Sequence, residues 1–211
     1  VTADAGKLAG TRGTLISIEG IDQSGKKTQT RLLAKRLRLE GYSATIMSFP
    51  DYTTPVGRLL KAYLAGSKRL DYHAVHLLYA ANKYERASNI RAGIQRGRYV
   101  IINRYTASNL AYGMAHGLPL EWLISLEKGL PKPDSVFLLD VSPGISFSRK
   151  ERCRDVHEEN LKYLTSVRRA YLLLAGKYGW NVLQGEKDSM AVNADIWKQV
   201  SKISPRKTRG G

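Results

Sequence analysis

Thr14 to Glu19 forms a nearly unbroken apolar run with Leu15, Ile16 and Ile18 inside it, as in a strand covered on both faces. From Thr28 to Leu39 the period lengthens to that of a helix. Leu32, Leu33, Leu37 and Leu39 supply most of its apolar stripe, Arg31, Lys35 and Arg38 face water, and Gly41 ends it. Ser43 to Phe49 reads as a second strand, stopped by Pro50 where the chain must leave the sheet. Thr53-Thr54-Pro55 then opens a helix through Leu64, since Thr caps well and Pro suits the first turn. The pattern predicts one long helical region from Asp71 to Gln95, closed by Gly97. A third strand, Tyr99 to Ile102, delivers Asn103-Arg104-Tyr105 at its carboxyl edge. A helix from Pro119 to Leu130, a strand from Ser135 to Val141, a helix from His157 to Tyr178, a short strand from Trp180 to Leu183 and a helix from Met190 to Ile203 complete the series.

This alternation predicts an α/β fold: a three-layer sandwich with a five-stranded parallel sheet, right-handed crossovers and helices on both faces. No repeat or low-complexity segment interrupts it. The expected organisation is one domain over residues 13–203, a flexible arm over 1–12 and a basic tail over 204–211.

The chemistry begins between the first strand and the first helix. Gly20, Asp22, Gln23, Ser24, Gly25, Lys26, Lys27 and Thr28 lie in or directly after a G-x-x-x-x-G-K loop, whose backbone N–H groups can wrap a phosphate while Lys26 neutralises its outer oxygens. The helix that follows adds unpaired N–H groups and a positive pole. Lys26 and Lys27 in a helix's first turn oppose its dipole, at about 0.3–1 kcal/mol each when exposed, and a bound polyanion reverses that sign. The expectation is a P-loop NTPase domain that binds a nucleoside triphosphate.

Composition narrows the class. A formal net charge of +16 points to anionic partners, nucleotides among them, without choosing one. The single Cys153 excludes an internal disulfide and has no metal-ligand partner at short spacing, and no window is apolar enough to span a bilayer. A soluble, cytoplasmic protein is expected.

Further motifs recur in order along nearly the whole chain. They are Glu19-Gly20-Ile21-Asp22, Phe49-Pro50, His76-Leu77-Leu78-Tyr79-Ala80-Ala81-Asn82-Lys83-Tyr84-Glu85, Asn103-Arg104-Tyr105 and Gly129-Leu130-Pro131-Lys132-Pro133-Asp134. Together they resemble the thymidylate kinase family. The resemblance implies transfer of the γ-phosphoryl group of ATP to dTMP, with Mg²⁺, in a homodimer that binds neither membrane nor nucleic acid. Lys26 would then hold the β- and γ-phosphates, and Arg104 would clamp the acceptor phosphate. Arg149 and Arg152 would belong to a lid over about 149–157, supplying charge that Gln23 in the loop cannot. Asp22, Phe49 and Pro50 would border the acceptor; Tyr79 would stack on the base, Lys83 reach its O4, Ser108 bind its edge, and Tyr112 crowd the ribose 2′ position.

The family pattern is broken at three points. Lys27 replaces the usual hydroxyl ligand of the metal, leaving Asp22 and Glu158 as metal candidates. Asn103 stands where the family has Asp, its amide oxygen still able to meet a hydrated Mg²⁺. Tyr52 stands where many relatives have a phosphate-binding arginine. Altered metal dependence is therefore expected. Two alternatives stay open: a catalytically weakened relative that binds nucleotides or nucleic acid, and a kinase with a shifted nucleoside monophosphate preference.

Overall fold

A computed structural model describes residues 12–149 and 161–203. Its five strands are β1 (Thr14–Glu19), β2 (Ala44–Ser48), β3 (Tyr99–Asn103), β4 (Ser135–Asp140) and β5 (Asn181–Gln184), ordered β2-β3-β1-β4-β5 with every pairing parallel. All six β1 residues are buried, as the apolar run requires. Ile18 lies opposite Asn103 on one side and Phe137 on the other, so the strand order reverses around β1. Ligands of open α/β sheets gather at such a reversal, beyond the carboxyl ends of the strands.

Two helical layers cover the sheet. On one face α1 (Lys26–Leu39) and α9 (Ser189–Ile203) set Leu33, Leu37, Ile196 and Val200 against Ile16, Ile101 and Leu139. On the other, α4 (Ala87–Gln95) packs Ile90 and Ile94 on Val100 and Ile102, while α5 (Thr106–Ala115) and α8 (Leu161–Tyr178) bring Ala111, Tyr171 and Leu174 to Leu138. The remaining helices are α2 (Pro55–Leu64), α3 (Tyr72–Tyr84), α6 (Leu120–Glu127) and α7 (Pro143–Ser148).

The expected helical region from Asp71 to Gln95 is two helices. Asp71 caps α3 through the His73 N–H at 2.8 Å, and the break falls at Glu85 and Arg86. Both side chains there serve the β2–α2 connection: Glu85 Oε1 accepts from Val56 N–H at 3.2 Å, and Arg86 Nε donates to Asp51 Oδ2 at 2.7 Å. The same connection passes a cis Phe49–Pro50 peptide, and at Gly57 a Cβ would lie 1.8 Å from the Asp51 carbonyl oxygen.

Helices α5 and α7 have no counterpart in the sequence pattern. In α5, residues 107 and 109–113 are buried nearly all round, so no amphipathic stripe exists to read. Arg12, expected in the arm, pairs with Asp134 at 2.7 Å, while Asp134 Oδ2 also accepts from Leu15 N–H. Residues 1–11, 150–160 and 204–211, including Arg152, Glu158, the rest of the expected lid and the basic tail, lie outside the described residues.

Candidate active site

The loop after β1 turns at Gly20 (φ +142°), where a Cβ would meet the Leu139 carbonyl oxygen and Ser24 Oγ at 2.6 Å each, and enters α1 through Gly25 (φ +91°). Gln23 also has positive φ, at +54°. Such backbone turns successive N–H groups toward one centre. Helix α7 holds the loop from outside, with Ser146 Oγ donating to the Asp22 carbonyl at 2.6 Å. Lys26 is buried, and its ammonium donates to the Ile21 carbonyl at 2.5 Å and to Ser24 Oγ at 3.3 Å. Arg149 donates to the Gln23 carbonyl at 3.1 Å and the Gly185 carbonyl at 3.4 Å, joining the loop to the turn after β5. Asp22, Gln23, Ser24, Gly25, Lys26, Lys27 and Thr28, with Arg104, Arg149, Gly185 and Lys187, line a cavity of about 650 Å³, while Gly20 shapes the loop without lining it. Lys26 and Arg104 thus face one space.

Arg104 leaves β3 with φ +62°, its N–H bonded to the Ile18 carbonyl at 3.1 Å. Its guanidinium pairs with Asp22 Oδ1 and lies over the Tyr112 ring, 5.2 Å from the centroid. Burial disfavours that charge, but Asp22, Tyr112 and Tyr171 outweigh it and hold the guanidinium above its ordinary range. Tyr112 donates its phenol to Asp22 Oδ2 at 2.7 Å, and burial pushes that phenol upward. Asp22 therefore ties an arginine and a tyrosine into one unit.

Beyond this unit opens a second cavity, of about 390 Å³, in the range of small-molecule sites. Phe49, Pro50, Tyr52, Leu64, Tyr79, Lys83, Ser108 and Tyr112 are among its walls. Asp22, Lys27, Asn103 and Arg104 line both cavities and so stand at their junction. A donor polyphosphate in one and an anionic acceptor in the other would meet there.

Lys83 and Ser108 carry partners that sequence reading does not disclose. The Lys83 ammonium, 3% exposed, pairs with Glu127 at 3.0 Å and donates to the Tyr79 carbonyl at 3.0 Å. Glu127 also accepts from Asn109 Nδ2 at 2.6 Å, and Asn109 Oδ1 lies 2.7 Å from His76 Nδ1. Burial raises the Glu127 carboxyl although Lys83 and Asn109 pull it down. Ser108 Oγ donates to Glu19, a buried residue at the end of β1. Glu127, Asn109 and Lys187 are thus residues at or behind the cavities that motif reading missed, and Glu19, though inside a quoted motif, was given no role. Only the position of Glu19 beside the phosphate loop could have signalled one of them.

No group of three or more His, Cys, Asp or Glu able to hold a metal occurs among the described residues. Mg²⁺ needs no such cluster: it keeps several waters and takes one or two protein oxygens together with substrate phosphates. Among the described residues Asn103 Oδ1 is buried without a hydrogen-bond partner, and Asp22 lines the same junction. An unpartnered amide oxygen, and a carboxylate that already accepts from Arg104 and Tyr112, are the hard oxygen donors this lining offers such an ion.

A phosphate loop at the strand-order reversal, opening onto a second pocket, defines a nucleotide kinase of the phosphate-loop class. Residues 18–196 match the family model described as thymidylate kinase. The chain is 34% identical over 187 residues to the thymidylate kinase of Danio rerio, covering 88% of each chain, and 31% identical over 191 residues to that of Homo sapiens, covering 90% of each. The solved thymidylate kinase of Candida albicans superposes with a TM-score of 0.82 at 30% identity, over 91% of this chain and 92% of that one. The chain belongs to the thymidylate kinase family, whose members are ATP-dependent nucleoside monophosphate kinases.

Proposed function

We propose that the protein transfers the γ-phosphoryl group of ATP to dTMP, giving dTDP and ADP. The observation that carries this reading is the junction itself, where Asp22, Lys27, Asn103 and Arg104 border both cavities. Phosphoryl transfer asks little covalent chemistry of a protein; it needs two anions held in line and cations where charge develops. Lys26 and the loop amides bind the β- and γ-phosphates, and Arg104, oriented by Asp22, takes the acceptor phosphate through its planar fork. Tyr79 stacks on the base, Lys83 donates to its O4, and the Tyr112 ring closes the space a ribose 2′-hydroxyl would need. Arg149, with Arg152 beyond the described residues, neutralises the moving phosphoryl group.

Asp22 and Asn103, with Glu158 beyond the described residues, are the residues that would hold Mg²⁺, which supplies charge neutralisation to the donor phosphates. Lys27 is exposed at the same junction and pairs with no carboxylate among the described residues, so it adds a fixed cation where the family places a hydroxyl. Altered metal dependence follows. The test is dTDP formation from ATP and dTMP across a Mg²⁺ titration. Turnover that persists at lower Mg²⁺ in the native chain than in Lys27→Ser supports the reading. No dTDP at any concentration rejects it in favour of a weakened nucleotide-binding relative.

Tyr52 on the acceptor cavity wall, where an arginine would grip phosphate, favours a second reading in which acceptor preference is shifted to dUMP or another monophosphate. Comparing dTMP, dUMP, dCMP and dGMP at equal concentration decides it.

A further inference from the structure

Glu19, the last residue of β1, is 0% exposed, and among the described residues its carboxylate meets no cation. Its neighbours are neutral: three donors and, farther off, the Tyr171 hydroxyl. Oε1 accepts from Ser17 Oγ and from Tyr105 N–H at 2.8 Å; Oε2 accepts from Ser108 Oγ at 2.6 Å, with the Tyr171 hydroxyl 3.4 Å away. A carboxylate only accepts, so the proton of Ser108 points at Glu19. The Tyr171 hydroxyl, 2.8 Å from Ser108 Oγ, is then the donor of that pair. Ser108 is left with one lone pair, and its side chain lines the acceptor cavity. Lys83 lines the same cavity with an ammonium that only donates.

We infer that Glu19 is a specificity-determining positioning residue: by taking the Ser108 proton it turns that hydroxyl into an acceptor, so the cavity wall presents an acceptor and the Lys83 donor together. This pattern complements a pyrimidine that carries an imino N–H beside a 4-keto oxygen, as thymine and uracil do. Cytosine inverts both groups, placing a ring-nitrogen lone pair and an amino group where the wall has the same polarity. Buried polar groups left facing their own kind lose their hydrogen bonds outright, which is how such sites reject an analogue. The inference rests on the second cavity being the pyrimidine monophosphate site proposed above.

The experiment uses dUMP and dCMP, which differ only along this edge, with ATP as donor, and reads the ratio of their kcat/KM values. In Glu19→Gln the amide carbonyl must face Tyr105 N–H, a donor that cannot reverse, so the amide NH₂ faces Ser108 and the serine proton, no longer held, turns to the Tyr171 oxygen or into the cavity. The dUMP preference is expected to fall by about tenfold. Ser108→Ala, with Glu19 intact, removes the acceptor itself and is expected to lower the ratio as well; it carries the test if Glu19→Gln does not fold. Equal losses for both nucleotides, leaving the ratio unchanged in either folded variant, would show a merely structural role and overturn the inference. A native preference for dCMP would overturn it too while leaving the kinase reading in place. If the native protein turns over neither nucleotide, the kinase reading fails separately, and the same ratio is read from calorimetric binding of dUMP and dCMP.

Discussion

At Arg104 a positive-φ backbone, a carboxylate and an aromatic face act on one guanidinium. Lysine keeps the charge but loses the planar fork and the stacking, so Arg104→Lys is expected to lower kcat/KM for dTMP by about two orders of magnitude. An unchanged KM for dTMP in that variant would remove Arg104 from the acceptor site. Glu127 is the other residue with a large predicted effect. Glu127→Gln leaves the Lys83 ammonium buried without its counter-charge, and breaking such a pair costs about 3–5 kcal/mol. A melting temperature lowered by about 10 °C is expected at neutral pH by calorimetry. The sign at other pH values follows from the raised carboxyl: the folded state holds that proton more tightly than the unfolded chain. The native contribution is therefore fully present below the ordinary glutamate range and declines as pH rises through the raised value. Glu127→Gln should flatten that decline. Lys26 and Arg104 are legible in the sequence because the loop and the strand end that carry them are local motifs. The roles of Glu127 and Glu19 are not, since the partners that link them to the site, Asn109 and Ser108 among them, stand on elements far along the chain.

The strands were legible, and so were α1, α2, α6 and α9. Parallel strands buried on both faces must be continuous apolar runs, and β1, β3 and β4 are. The α3–α4 break was not legible, because it depends on where two polar side chains go. Glu85 and Arg86 carry good helix propensity and leave the helix only to satisfy Asp51, Thr53 and Val56 in a connection that helical period cannot anticipate. That connection carries a pH signature. Burial works against the charge of Asp51, but donors from Thr53 and Arg86 outweigh it; burial likewise opposes Glu85, and donors from Thr54, Val56 and Asn82 outweigh that. Both carboxyls lie below their ordinary ranges, so their stabilisation is present above those ranges and is lost as pH falls through the lowered values. Segment 50–57 should therefore open before the sheet on acidification. Hydrogen exchange, corrected for intrinsic rates, should show the Val56 and Gly57 amides losing protection at a higher pH than Ile101. Simultaneous loss would mean that the connection and the sheet form one cooperative unit.

Among the described residues, α3 and α6 expose apolar side chains near the second cavity. On α3, Leu77 is 50% and Tyr84 43% exposed, and Ile124 of α6, which packs against α3, is also exposed. Scattered exposed leucines are ordinary, but these lie on contacting helices that also carry Lys83, Glu127 and part of the second cavity's lining. A second copy of the chain is the occupant we propose for this face, in line with the homodimer the resemblance implies. Two-fold pairing makes one patch self-complementary, so a single charge introduced there is met by its own copy across the axis. Leu77→Glu should therefore shift sedimentation velocity from dimer to monomer. Because α3 also carries Tyr79 and Lys83, the monomer should show a higher KM for dTMP than for ATP relative to the native chain. A native protein that sediments as a monomer at assay concentration would remove the dimer, while leaving the chemistry at the junction of the two cavities untouched.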